Sequence, residues 1–319
     1  MAPTILIAGA TGNTGRSVTE TLPRLLKTNK ALSEHRILAL TRSLDSPSAK
    51  KLATLPGVEI VEKNWVETTP EWLRENEVVR AFIASHNNPN QFAEETTFHV
   101  AALEANVKYV VRISTTAAAV RPNSRAYYQR AHWAIEALLS TPEFESMQWT
   151  SLQLNIFSQY YLAPAIEFIQ RYRQTGKQGT LRLMGSEGGP VGIIDPDDVG
   201  TFAAHLLAAE DPAVHNRAKY ILNGPEDITG VQFVEMVEQH TGTKVEHCIF
   251  RDVSFLDSYY EHNFAKTGES KNVILSLKRA LGPVWDGKCT SSTTSKEVLE
   301  IAAPRHTPIN VLNSMLGEQ

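Results

Sequence analysis

The 319-residue sequence predicts an α/β protein, a doubly wound parallel sheet with helices on both faces and a smaller, mostly helical cap towards its C-terminal end. Three observations point there. Short apolar runs alternate with longer helical patterns. The first run is apolar on both faces, as a central parallel strand is, and a glycine-rich turn follows it directly. No repeat or low-complexity linker interrupts the chain, so its domains are expected to interleave.

Residues 4–8 read as the first strand and 17–26 as the first helix, which Pro23 is expected to bend or shorten. Strands follow at 36–40 and 58–61. Thr69 and Pro70 then open a helix as N-cap and first helical residue. A strand at 78–84, a helix at 92–105 and a strand at 109–113 continue the alternation. The helix at 126–139 puts Tyr128, Ile135 and Leu139 on one face, and 149–154 is a sixth strand. Beyond it come an apolar, aromatic helix at 156–173 and a loop-like stretch at 176–192 broken at Gly188-Gly189-Pro190. A helix at 197–208, a last strand at 219–222 and a helix at 229–241 precede the mostly helical remainder. The predicted domains are 1–155, rejoined by 190–223, for the dinucleotide, and 156–189 with 224–319 as a smaller substrate cap. Ligands in such sheets sit at the carboxyl ends of the strands, which the cap would cover.

A composition of 42% hydrophobic and 21% charged residues suits a globular core. The net charge of -4 gives no electrostatic reason to expect nucleic-acid binding. Cys248 and Cys289 form neither a disulfide framework nor a metal-ligand spacing, which fits a reducing compartment, and no metal is expected. No G-x-S-x-G elbow supports hydrolase chemistry. No apolar stretch is long enough to span a bilayer, and a first strand beginning at Thr4 leaves no room for a targeting peptide, so a cytoplasmic location is expected.

Gly9-Ala10-Thr11-Gly12-Asn13-Thr14-Gly15 is a G-x-x-G-x-x-G loop between the first strand and first helix. One glycine makes the tight turn, one admits a pyrophosphate to the backbone, and one lets the helix pack on the strand. The helix N-terminus offers free N–H groups and a positive dipole end. In this setting the motif is a strong signal for a dinucleotide, with Gly9, Thr11, Gly12, Asn13, Thr14 and Gly15 as its contacts. The second strand ends Leu40-Thr41-Arg42-Ser43, a guanidinium where an NAD site carries a carboxylate, and no acid occurs until Asp45. Arg42 therefore suits the 2′-phosphate of NADP(H); its bland alternative is an exposed arginine on a strand end. Ser85 and His86, with Asn87 and Asn88, either meet the nicotinamide ribose or form an ordinary polar loop. Trp65, beside Asn64, either stacks on adenine or is buried under the next helix.

With these residues the chain resembles the NmrA-like branch of the atypical short-chain dehydrogenase/reductases. The match lies in the glycine loop, Leu40-Thr41-Arg42, the strand at 110–114, His132-Trp133-Ala134-Ile135-Glu136, the segments 193–199 and 220–225, and roughly residues 3–245 in all. The resemblance implies an NADP(H)-binding Rossmann domain with a substrate cap. It implies no single activity: members are quinone or imine reductases, phenylpropanoid-type reductases, enzymes of secondary metabolism, or redox sensors that regulate transcription factors. In the wider superfamily Ser, Tyr and Lys assist hydride transfer, with Tyr and Lys four residues apart on one helix face. Lysine lowers the tyrosine pKa and the hydroxyl moves the proton. The resemblance puts Ser114, Tyr128 and His132 in these places, histidine replacing lysine. A histidine of ordinary pKa, about 6.5, is mostly neutral at cytosolic pH and pulls less on the tyrosine proton. Tyr128 as acid/base and Tyr128 as a packing or substrate-contacting residue both stay open, as do Tyr127 or water in its stead, and His132 is either a cofactor contact or a structural histidine. Asn155 is a further cofactor candidate, and Phe157, Tyr160 and Tyr161 are candidates for the substrate pocket, although aromatics at this spacing also build cores. Related chains carry Leu-Arg-Pro there, against Leu152-Gln153-Leu154-Asn155 here. Asp198 is expected to cap or brace a helix. The expected function is an NADPH-dependent reductase of a small carbonyl, quinone, imine or enone; the alternative is an NADP(H)-sensing regulator with a protein partner.

Overall fold

The computed structural model describes residues 2–318; residues 1 and 319, the outer limits of the predicted domains, lie outside the described residues. The strands are β1 (Thr4–Ala8), β2 (Arg36–Thr41), β3 (Val58–Glu62), β4 (Val78–Ile83), β5 (Tyr109–Ile113), β6 (Gln148–Leu154), β7 (Leu181–Arg182), β8 (Ala218–Leu222) and β9 (Cys248–Ile249). The helices are α1 (Asn13–Thr28), α2 (Pro47–Leu52), α3 (Pro70–Glu75), α4 (Gln91–Glu104), α5 (Tyr127–Leu139), α6 (Ser158–Thr175), α7 (Pro196–Leu207), α8 (Gly230–Thr241), α9 (Phe255–Asn263), α10 (Lys271–Leu275), α11 (Gly282–Trp285), α12 (Lys296–Ala302) and α13 (Pro308–Leu316).

Seven strands pair in the order β3-β2-β1-β4-β5-β6-β8, every pairing parallel. The order reverses between β1 and β4, where doubly wound sheets open a crevice for ligands. The two-residue alternation of a strand divides β1 between two cores. Ile5 and Ile7 join α1 and α7 residues such as Leu22 and Phe202 on one face. Leu6 and Ala8 join Phe98, Ile135 and Trp149 of α4, α5 and β6 on the other. A third core, with Tyr161, Leu162, Phe233 and Leu312, gathers α6, α8 and α13 into the cap.

Three local expectations change. Pro23 lies inside α1, which runs on to Thr28, so the proline does not shorten the helix; packing against α7 and the sheet outweighs one lost backbone bond. The 176–192 stretch contains β7, which pairs with β9 through Leu181 and Cys248, a distant pairing that local sequence pattern does not reveal. The 296–302 stretch, predicted with the cap, forms α12 and buries Val298 in the core shared by α7 and β8; its apolar face fits the sheet's flank.

Candidate functional site

At the carboxyl ends of β1, β2, β4, β5 and β6 lies a cleft of about 930 Å³. Its floor at β1 is built by the glycines. Gly9 has φ +87°, a left-handed conformation that favours glycine, and a Cβ there would sit 3.0 Å from the Ala84 carbonyl oxygen. A Cβ on Gly15 would meet the Gly9 carbonyl oxygen at 2.1 Å, so this residue sets the close fit of α1 on the turn and does not itself face the cleft. Gly12 caps α1 with no side-chain bond, and no acid occupies the first turn. The first-turn amides are therefore free of helical partners and uncontested by negative charge.

Gly9, Thr11, Gly12, Asn13, Thr14, Arg42, Ser85, His86, Ser114, Tyr128, His132, Asn155, Phe157 and Tyr160 all line this cleft. Arg42, exposed just past β2, has no hydrogen-bond or ion-pair partner among the described residues. Half-buried Trp65 lines the cleft with its ring centroid 5.8 Å from that of His86 and edge-on to Phe98. His86 takes the Asn88 amide on Nδ1 at 3.1 Å, which leaves its hydrogen on Nε2 to donate to Glu94. Asn13 Nδ2 donates to the Tyr160 hydroxyl at 3.1 Å, joining the glycine loop to the cap.

Tyr161 is not brought to the site. It is 1% exposed, stacks on Phe233 in the cap core, and its buried hydroxyl has no partner. Asn155 reaches the cleft with its amide already engaged: Nδ2 lies 2.9 Å from the Gly192 carbonyl, Asn223 Oδ1 and the Cys289 carbonyl. Its side chain thus ties β6 to three loops and has no hydrogen left for a ligand.

Behind the cleft lies a buried charge cluster that sequence reasoning missed. Arg112 on β5 is fully buried and donates from Nε to Glu95 at 2.6 Å and from Nη2 to His132 Nδ1 at 2.9 Å. Glu95 also accepts from Ser85 Oγ at 2.5 Å. Glu136 lies 3.6 Å from Arg112, accepts from Ser114 at 2.8 Å and Ser151 at 2.7 Å, and is ion-paired with Lys219 at 3.1 Å. Burial works to raise both carboxyl groups, but Arg112 and their hydrogen-bond donors outweigh it and hold both below the usual carboxylate range. Burial, then the Arg112 charge, pushes His132 down to about 3. The ring is therefore neutral, and the Arg112 donor leaves its hydrogen on Nε2, 3.2 Å from Asn87 Oδ1. The one available signal was an arginine inside the otherwise apolar run 109–113.

Tyr128 is half-buried, its ring edge-on to His132 at 6.3 Å. Burial raises its pKa above the ordinary phenol value, outweighing hydrogen bonds with Thr115 and Gln129. The phenol stays protonated at neutral pH and can donate.

The strand order, the switch point and the glycine turn leading into a helix define a Rossmann-type α/β protein. The chain belongs to the NmrA-like family, whose description matches residues 1–272. Among solved structures it is similar to an NADPH-dependent quinone oxidoreductase from Escherichia coli complexed with NADPH, at 19% identity and TM-score 0.70 over 98% of this chain and 99% of that one. It is similar also to the Citrobacter sp. triphenylmethane reductase complexed with NADP(H), at 18% identity and TM-score 0.67 over 98% and 100%. A third similar structure is NmrA, a negative transcriptional regulator, at 14% identity and TM-score 0.67 over 99% and 96%. A search of the curated proteins found no match. Among the described residues no helix is long and apolar enough to cross a membrane.

Proposed function

We propose that the cleft binds NADP(H) and that the protein is a reductase of a small carbonyl, quinone, imine or enone. The observation that carries this reading is Arg42: an unpartnered guanidinium at the end of β2, on the rim of a cleft floored by bare helix amides. Guanidinium geometry suits a phosphate monoester, and Gly12, Asn13 and Thr14 suit a pyrophosphate. Bound there, the dinucleotide would supply the hydride. The chain's own residues supply the surroundings. Neutral His132 spends its N–H at Nε2 on Asn87 and so fixes the loop after β4, while Tyr128 keeps its proton available for a product oxygen or nitrogen. A protonated tyrosine suits reduction, which consumes a proton, better than oxidation, which needs a base.

A second reading is favoured by one observation. The residue four past Tyr128 is a histidine held in a buried cluster, with no cation beside the phenol from that helix. This supports a sensor that binds NADP(H) and a protein partner without turnover. Calorimetry on cofactor-stripped protein tests the shared step. Arg42→Gln should weaken NADPH by about 10- to 100-fold, the value of a charge-assisted bond of about 1.5–3 kcal/mol, while NADH is unchanged. Turnover is followed by NADPH absorbance over quinones, ketones, enones and imines. Binding with no turnover selects the sensor, turnover surviving Tyr128→Phe removes that phenol from the chemistry, and no heat from either nucleotide rejects both readings.

A further inference from the structure

A second concavity, about 590 Å³, lies away from the cleft between α1, α7 and residues 301–306, and the two share no lining residue. Arg24 and Arg305 line it, together with His205 and His306. Neither guanidinium has a hydrogen-bond or ion-pair partner among the described residues. The carboxylates nearby are engaged elsewhere. Asp198, inside the groove, accepts from the backbone amides of Arg305 and His306 at 3.0 Å each and from His306 Nδ1 at 2.9 Å. Glu20, one turn before Arg24, is held by Arg16 at 3.1 Å and Lys51 at 2.8 Å.

Two exposed guanidinium groups thus line a concave surface whose one lining carboxylate, Asp198, is taken up by His306 and two backbone amides, which leaves both guanidinium groups open to an anion from solvent. Burial, and then Arg24 itself, pushes His205 below the usual imidazole range, which marks the same positive field. Leu25, Ile301 and Ala302 supply an apolar wall, and the volume falls within the range of small-molecule pockets. The turn that presents Arg305 is pinned to α7 by Asp198, so the site is built before any ligand arrives.

We propose that this groove is a second binding site, independent of the dinucleotide cleft, for a phosphate monoester carrying a short apolar body. Three phosphate oxygens match two guanidinium forks, and the apolar body covers the wall that α1 and the 301–303 segment leave open.

The test is calorimetric titration with hexyl phosphate, inorganic phosphate and hexanoate against the whole chain, an Arg24→Gln/Arg305→Gln double variant, and Arg42→Gln. Both altered groove residues are exposed, so the fold is preserved. Hexyl phosphate should bind the unaltered chain and Arg42→Gln alike, at least about tenfold more tightly than inorganic phosphate, and should lose at least about tenfold in the double variant. Hexanoate equal to hexyl phosphate would overturn the phosphate assignment. Undiminished hexyl phosphate binding in the double variant, or a loss confined to Arg42→Gln, would overturn the site.

Discussion

Arg112 carries its charge where water does not reach it, and its neighbours answer that cost. Glu95 and Glu136, 0% and 1% exposed, compensate the guanidinium, and Lys219 balances the second acid from the sheet's outer edge. Buried charge is tolerable only when paired and hydrogen-bonded in this way. The same cluster decides the state of His132. Its pKa lies near 3 in the fold against an ordinary value of about 6.5, so below about pH 6.5 the unfolded chain takes up a proton that the folded chain refuses. The stability linked to this ring is fully present above that pH and falls as the pH drops, by about 1.4 kcal/mol per pH unit. Buried His99 shifts in the same direction. His132→Gln should therefore flatten, without abolishing, the loss of stability between pH 6.5 and 5. Urea midpoints at those two pH values measure it, and an unchanged difference would discard the neutral-ring account. The place of Arg42 on the cleft rim was legible from the sequence because it follows directly on a strand whose register is local. Arg112 was not, because its partners come from α4, α5 and β6 and meet only in the folded sheet.

At the scale of one element, α6 shows how helix rotation sorts neighbours. Tyr160 is 59% exposed beside the glycine loop, whereas Tyr161, a step of about 100° further round, is sealed inside the cap. Sequence position grouped the two as pocket residues, and only the helix phase separates them. The Tyr161 hydroxyl packs against Gly185, where a Cβ would lie 2.0 Å from it, and it meets no acceptor. Tyr161→Phe keeps the stack on Phe233 and removes an unsatisfied buried group. The expected gain is about 1 kcal/mol, visible as a raised thermal midpoint with nucleotide affinity unchanged; a lowered midpoint would show that the hydroxyl has a partner after all. The glycine loop was readable for the opposite reason. Its shape is set by backbone that no side chain obscures, within seven consecutive residues.

At the scale of the whole molecule, the chain passes between sheet and cap several times, and its last crossing was the hardest to foresee. The alternation up to Leu154 names every strand of the first half, since each βα unit declares itself locally. Residues 296–302 carry no such pattern, and only the flank of β8 and α7 explains why they return. Val298 is fully buried there and Leu299 is 54% exposed. Val298→Ala should lower the stability of the sheet-bearing body by about 1–3 kcal/mol, and Leu299→Ala should stay within about 0.5 kcal/mol. Guanidinium unfolding followed by far-ultraviolet circular dichroism compares them. Equal midpoints for both variants would detach this segment from the sheet.

The bond from Asn13 to Tyr160 has a kinetic corollary. It is a clasp at the water's edge, thrown from the cap across the turn whose amides are bare. Both side chains are exposed, and a lone bond between such side chains opens and closes on the ps–ns scale, so the clasp orients the rim without by itself setting the pace of traffic through the cleft.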